Sequence, residues 1–244
     1  MAKRRLRLKR WIKELFMYIF LGLIVYSSIN IALYNFNTGD IKEMTESFNQ
    51  FVKIDEETKK VSIDYNSLKN INDDMKAYLI INGTNISYPV VQSSNNDFYL
   101  SHDFAKNVNK SGWIFFDYKN NIEEDKNLVI YGHAMKNKTM FGELSKLLDN
   151  TWYNNPNNLD IKLYIDDKEY TYRVFSVYKV DIENYYINTN ITEDTFDSFI
   201  NTVKNRSDIV LDTDTTNTRQ ILTLSTCYDN VRLAVHAARV NDIN

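Results

Sequence analysis

The sequence predicts a mainly β protein, an eight-stranded β-barrel with N-terminal helices and one late helical insert, preceded by a transmembrane helix. Three observations predict it. Eight short runs rich in Val, Ile, Tyr, Phe and Thr fill residues 77–240, separated by Asn, Asp and Gly. So many runs at this spacing argue for a closed or nearly closed barrel rather than βαβ units. One segment, 192–205, breaks the β texture with helical periodicity, and one uncharged stretch lies close to the N-terminus.

That stretch, LFMYIFLGLIVYSSINIALY at 15–34, runs for twenty residues without a charge. As a helix it extends about 30 Å, the hydrocarbon thickness of a bilayer. Before it stand seven bases (Lys3, Arg4, Arg5, Arg7, Lys9, Arg10, Lys13), and soon after it come Asp40, Glu43 and Glu46. This asymmetry predicts a basic cytoplasmic tail at 1–14, an anchor at 15–34 and an extracellular remainder. A cleaved signal peptide has a similar basic start but a shorter apolar region, about 7–15 residues. No small-x-small cleavage site follows here.

The charge divides at the same place. The chain has 244 residues, 29 basic and 32 acidic, for a net charge of −3. Residues 1–34 take seven bases and the acid Glu14, which leaves 22 bases and 31 acids, a net of about −9, for the rest. So acidic a body is a poor phosphate-backbone binder, and nucleic acid is set aside. With 43% hydrophobic residues it can bury a sizeable core.

Between anchor and barrel, 35–76 reads as a helical spacer or packing region. Ile41, Met44, Phe48, Phe51 and Val52 lie near helical spacing, and 64–75 suggests a second short helix. The catalytic or binding barrel then occupies 77–244, with strand-like runs at 77–83, 87–92, 112–118, 127–133, 159–165, 169–180, 220–226 and 231–240. Two inserts interrupt them. Residues 140–148 (MFGELSKLL) read as helical. In 192–205, Thr192 is an N-cap, and Phe196, Phe199, Ile200 and Val203 repeat at i, i+3, i+4, i+7.

One cysteine excludes an intramolecular disulfide and a Cys-rich zinc site, and three scattered His (102, 133, 236) make a His-cluster metal site improbable. No metal and no cofactor is expected. A lone Cys is most often a small buried hydrophobe. Cys227, however, ends the run ILTLSTC before a polar loop, and Arg232 opens the next run five residues on. A hairpin there brings the guanidinium beside the thiol. His133 ends another run, LVIYGH, behind Gly132. His102, in LSHDF, reads as structural or exposed, and His236, inside VRLAVHAARV, as a packed or outward strand residue.

TLSTC at 223–227 followed by Arg232 resembles the cysteine–arginine signature of the sortases, cysteine transpeptidases of Gram-positive cell surfaces. VIYGHAMKNKTMFGEL at 129–144 resembles the histidine segment of the class B branch, and INGTNISYPVVQSSNNDFYLSHDF at 81–104 its first barrel strands. The helix at 192–205 stands where class B carries an extra helix between its sixth and seventh strands. The likeness covers about 63–240. It implies Cys227 as nucleophile, His133 as acid/base and Arg232 as the group steadying substrate and oxyanion. It also implies peptide contacts at Asn96, Leu100, Tyr186, Ile187 and Ser225, and makes Asp229 a possible accessory acid. The Cys–Arg loop is shorter than in many class B members.

The implied reaction cleaves a C-terminal sorting signal, an NPxTN-like or related pentapeptide, after Thr. A thioacyl-enzyme then passes the protein to an amino group of the peptidoglycan cross-bridge or stem peptide. The implied partners are secreted proteins bearing that signal, the peptidoglycan amine and the membrane. With unperturbed pKa values, only ~3% of thiols and ~25% of imidazoles are charged at pH 7, so the ion pair is roughly 1% of the enzyme. Slow turnover follows unless the site shifts these values. Three alternatives stay open from the residues alone: a cell-wall cysteine peptidase or amidase using the same Cys–His pair, a membrane-tethered binding barrel with a packed Cys227, and a pilus-polymerising sortase.

Overall fold

The computed structural model describes residues 10–58, 60–166, 168–228 and 231–240, with side chains described at all of these except 10, 32–40, 227 and 228. By internal contacts the chain divides into two units, residues 1–40 and 41–244. In the first, helix α1 (Arg10–Ser47, which continues into the second unit) includes Trp11–Ile31, long and apolar enough to cross a membrane by length and composition. None of that stretch is buried by the described protein.

The second unit is the barrel and what packs on it. The last turns of α1 bury Ile41, and a 3-10 turn at Phe48–Phe51 buries Phe48 against Phe104 and Trp113. The sequence reads 40–60 as helical, and α1 does continue to Ser47, but from Val52 the chain turns into a two-stranded ribbon, β1 (Val52–Ile54) paired with β2 (Val61–Ile63). The reason is local. Asp55 accepts from the backbone N–H groups of Glu57 and Thr58, a side-chain turn that competes with a helix. Asp64 then caps α2 (Tyr65–Ile71), accepting from Ser67 N.

Eight strands close the barrel: β3 (Met75–Ile81), β4 (Ser87–Val91), β5 (Phe115–Phe116), β6 (Asn127–Tyr131), β7 (Asp160–Ile165), β8 (Lys168–Val180), β9 (Ile221–Tyr228) and β10 (Val231–Arg239). Around the ring the order is β10-β8-β7-β3-β4-β5-β6-β9. All neighbours are antiparallel except β4–β5 and β6–β9. All eight predicted runs therefore contain strands, but 112–118 contributes two residues of pleat. There Trp113, Ile114, Phe115 and Phe116 are all buried, and such an apolar run reads as strand without being one throughout.

Residues 140–148 do not form the predicted α-helix. Lys138 and Met140 have positive φ (68° and 52°), and a Cβ on Gly142 would run into the Met135 carbonyl. This tight turn leaves only a 3-10 stretch at Leu144–Leu148 and the single turn α3 (Asn150–Tyr153). The insert between β8 and β9 is helical as predicted. In α4 (Glu193–Asn205), Thr192 and Thr195 form a capping box, and Phe196, Ile200 and Val203 are buried.

Strand alternation sorts the core into two clusters. Leu233, Val235 and Ala237 of β10 join Leu222 and Leu224 of β9 inside the barrel. Ala234 and Ala238 face the other way, joining Phe175, Tyr178, Tyr186 and the apolar face of α4 in a second cluster outside the barrel wall.

Candidate active site

The parallel pairing of β6 with β9 decides where chemistry can occur, because parallel neighbours end at the same pole. Tyr131 is in register with Ser225, and β10 runs back with Arg232 opposite Cys227. Position 227 lies two residues past Ser225, on the same strand face by register. His133 follows directly on the end of β6. Three residues separated by almost a hundred positions thus meet at one barrel mouth.

Gly132 makes that meeting possible. A Cβ there would stand 2.8 Å from both Ile114 Cγ2 and Phe141 Cδ2, so any side chain would push the strand end outward. Beyond it, the His133 carbonyl accepts from Phe141 N at 2.9 Å, and His133 Nε2 lies 2.9 Å from the Leu100 carbonyl. A carbonyl only accepts, so Nε2 is the donor in this contact.

A cavity of about 220 Å³ opens beside these groups, lined by Asn96, Leu100, His133, Tyr186, Ile187, Ser225 and Arg232 among others. It therefore gathers two of the three expected catalytic residues and all five expected peptide-contact residues. Asp229 lies outside the described residues, as does the side chain of Cys227. Inside the cavity, the buried Tyr186 hydroxyl meets Ser225 Oγ at 2.9 Å. Asn96 is committed to the protein: Nδ2 donates to Asp117 Oδ2 and Oδ1 accepts from Tyr118 N, both at 2.9 Å. It shapes one wall.

Sequence reasoning missed the organiser of that wall. Asp117 is buried, and its carboxylate accepts from Asn96 Nδ2, the Tyr131 hydroxyl (2.8 Å) and Lys119 N (2.9 Å). Burial, then the Asp117 charge, pushes the Tyr131 phenol well above its ordinary pKa, so it stays a donor. Tyr131 stands two residues before His133, so strand period alone could have placed it in the site. Asp117, Asn184 and Ile182 come from irregular segments and carry no such signal. Of the other histidines, His102 stacks on Phe98 at 4.0 Å with Nδ1 2.8 Å from the Phe98 carbonyl, a structural pin. His236 is fully buried. Among the described residues no group of three or more His, Cys, Asp or Glu is arranged to hold a metal.

Comparison with known proteins agrees with this geometry. Residues 79–240 match the sortase domain family. The chain is 34% identical over 180 residues to sortase B of Listeria monocytogenes, covering 71% of this chain and 72% of that protein. The crystal structure of Clostridium perfringens sortase B superposes with a TM-score of 0.68 at 35% identity, covering 73% of this chain and all of that one. A Staphylococcus aureus sortase B–substrate complex gives a TM-score of 0.70 at 29% identity, covering 82% and 94% of the two chains. With its barrel, its strand-end histidine and its cysteine–arginine hairpin, the chain belongs to the sortase family, in the class B branch, and is a cysteine transpeptidase.

Proposed function

We propose that Cys227, His133 and Arg232 carry the transfer, and that the cavity beside them takes a C-terminal sorting peptide of the NPxTN-like or a related kind. The single observation that carries this reading is the double register at the barrel mouth: Tyr131 with Ser225 across β6–β9, and Cys227 with Arg232 across β9–β10. It supports the reading because the strand of position 227 lies between the strand leading to His133 and the strand bearing Arg232.

The Cys227 thiolate adds to the carbonyl carbon of the signal's Thr, and the π pair moves onto oxygen. Arg232 steadies that oxyanion by charge-assisted hydrogen bonds. As the C–N bond breaks, imidazolium Nδ1 of His133 protonates the departing amine and a thioester remains. An incoming amine adds to the thioester, neutral Nδ1 takes its proton, and the thiolate leaves. The Nε2–H bond to Leu100 holds the ring for both transfers. The acceptor is an amine of the peptidoglycan cross-bridge or stem peptide.

In this reading α1 anchors the enzyme, with the basic 1–14 tail in the cytoplasm and the barrel outside. The positive charge before the span and the acids after it support that orientation.

The test is capture of the thioacyl-enzyme. The full-length protein in detergent, given a sorting pentapeptide without acceptor, should gain the acyl mass on Cys227. Adding an amine should convert product from acid to amide. Cys227→Ala should lose both activities, at least a thousandfold against wild type. Peptide cleavage by that variant at wild-type rate would refute the assignment.

A further inference from the structure

His236 lies on the outer face of β10, wholly buried beneath α4, and takes no part in the chemistry above. Its Nε2 is 3.0 Å from the Tyr178 hydroxyl and its Nδ1 2.9 Å from Thr223 Oγ1. Thr223 Oγ1 is 2.6 Å from Asn127 Oδ1. Asn127 Nδ2 in turn reaches the backbone carbonyls of Tyr186 (3.4 Å) and Asn188 (3.0 Å). At the other end the Tyr178 hydroxyl lies 2.9 Å from that of Tyr185.

Chemistry fixes the direction of every proton in this chain. Carbonyls only accept, so Asn127 turns its amide nitrogen to Tyr186 and Asn188 and its Oδ1 to Thr223. Thr223 has one proton and gives it to Asn127, so it must accept from His236. That sets the Nδ1–H tautomer. The bare Nε2 then accepts from Tyr178, whose oxygen accepts from Tyr185. Removing an inner member such as His236 or Thr223 strands a buried polar group on each side of the gap, which is why such chains hold one geometry. Burial lowers the His236 pKa to about 3, which keeps the ring neutral and the order intact.

Both ends of the chain lie on one short segment. Tyr185 starts it, and the backbone of Tyr186 and Asn188 finishes it. That segment is the 3-10 turn Tyr185–Ile187 with its C-cap Asn188, and it presents Tyr186 and Ile187 to the active-site cavity. Three residues of 3-10 helix do not hold their own shape, and the closing bond, Asn188 N to the Tyr185 carbonyl, is long at 3.4 Å.

We propose that Tyr185, Tyr178, His236, Thr223 and Asn127 form a clamp that fixes this cavity wall, so that Thr223, His236 and Asn127 are positioning residues for the sorting peptide. The proposal rests on the reading of the cavity as the peptide site. The clamp acts on binding rather than on bond-breaking, because both of its ends lie on the wall segment.

The experiment uses the full-length protein and three variants: Thr223→Val and Tyr178→Phe, which break the chain at different places, and Thr223→Ser, which keeps the hydroxyl. The first two should raise the KM for a sorting pentapeptide about tenfold with kcat within twofold, and Thr223→Ser should match wild type. Without substrate, amide exchange over 184–190 should quicken about tenfold in the first two and stay unchanged in β3 and β7. Nitrogen NMR should find His236 as the neutral Nδ1–H tautomer. An unchanged KM in Tyr178→Phe, kcat falling in place of a KM rise, or Thr223→Ser behaving like Thr223→Val would overturn the clamp. If Thr223→Val fails to fold, Tyr178→Phe decides. If wild type does not process the peptide, the functional reading fails, and the substrate-free exchange judges the clamp by itself.

Discussion

The two faces of β10 are built from one strand and perform different work. Toward the barrel interior, Leu233, Val235 and Ala237 are fully buried among apolar side chains. Toward α4, Ala234 and Ala238 flank His236, and the hydrogen-bonded chain from Tyr185 to Asn127 passes between them. Apolar packing is strong and non-directional, so the inner face supplies stability and tolerates small shifts. Hydrogen bonds between buried groups are directional, so the outer face supplies geometry. Both faces are equally dry. What separates them is whether position matters to a tenth of an ångström, and it matters where a substrate wall is attached.

The largest effect expected from this contrast is on stability at the inner face. Leu233→Ala should cost about 2–5 kcal/mol by chemical denaturation, while the folded fraction keeps the wild-type KM. A loss below about 1 kcal/mol, or a raised KM, would erase the distinction.

The next effect is a pH dependence confined to the outer face. An unfolded imidazole binds its proton below about 6.5, whereas His236 stays neutral until about 3 in the folded protein. The unfolded state therefore holds more protons inside that window, and stability falls as pH falls through it, by about 1.4 kcal/mol per unit. Between pH 7 and pH 5 this amounts to about 2 kcal/mol. Acids such as Asp73, which the hydrogen bond from Lys106 holds below the ordinary carboxylate range, shift away from this window. Denaturation midpoints at the two pH values should show the loss in wild type and in Leu233→Ala, and His236→Gln should flatten it. An equal slope in His236→Gln would place the titration elsewhere.

The smallest effect belongs to the exposed edge of the outer face. The Arg206 guanidinium lies 3.9 Å from the Tyr185 ring centroid and 3.2 Å from Glu183, with both charged partners about half exposed. Water screens such contacts. Arg206→Ala should change the peptide KM by less than about threefold. A tenfold change would move the control of the wall from the buried chain to the surface.

Legibility in the sequence follows the same contrast. The inner face was readable because alternating Leu, Val and Ala in VRLAVHAARV can serve only one buried side. α4 was readable because Thr192 and the spacing of Phe196, Ile200 and Val203 are local signals, as the structure bears out. The ribbon at 52–63 was not, since the Asp55 turn overrides a helical apolar spacing. The turn at 138–142 was not either, because only backbone geometry demands its positive φ values. At the site, His133, Arg232 and the five expected contact residues share one cavity. Asp117 escaped notice because it lies in an irregular segment just past β5, and the strand partners of His236 did because a polar residue in a strand looks solvent-facing until another element covers it.

The sequence by itself determined the apolar helix, the eight β runs, the late helix and the identity of the one thiol. These follow from composition and period, which are properties of neighbours along the chain. Only the tertiary structure decided that β6 and β9 run parallel to a common end, so that His133 and position 227 meet. It also decided that α4 closes over His236 and turns five scattered polar residues into one ordered chain. Both depend on long-range pairing and burial, and a polar side chain acquires its meaning when water is removed from around it.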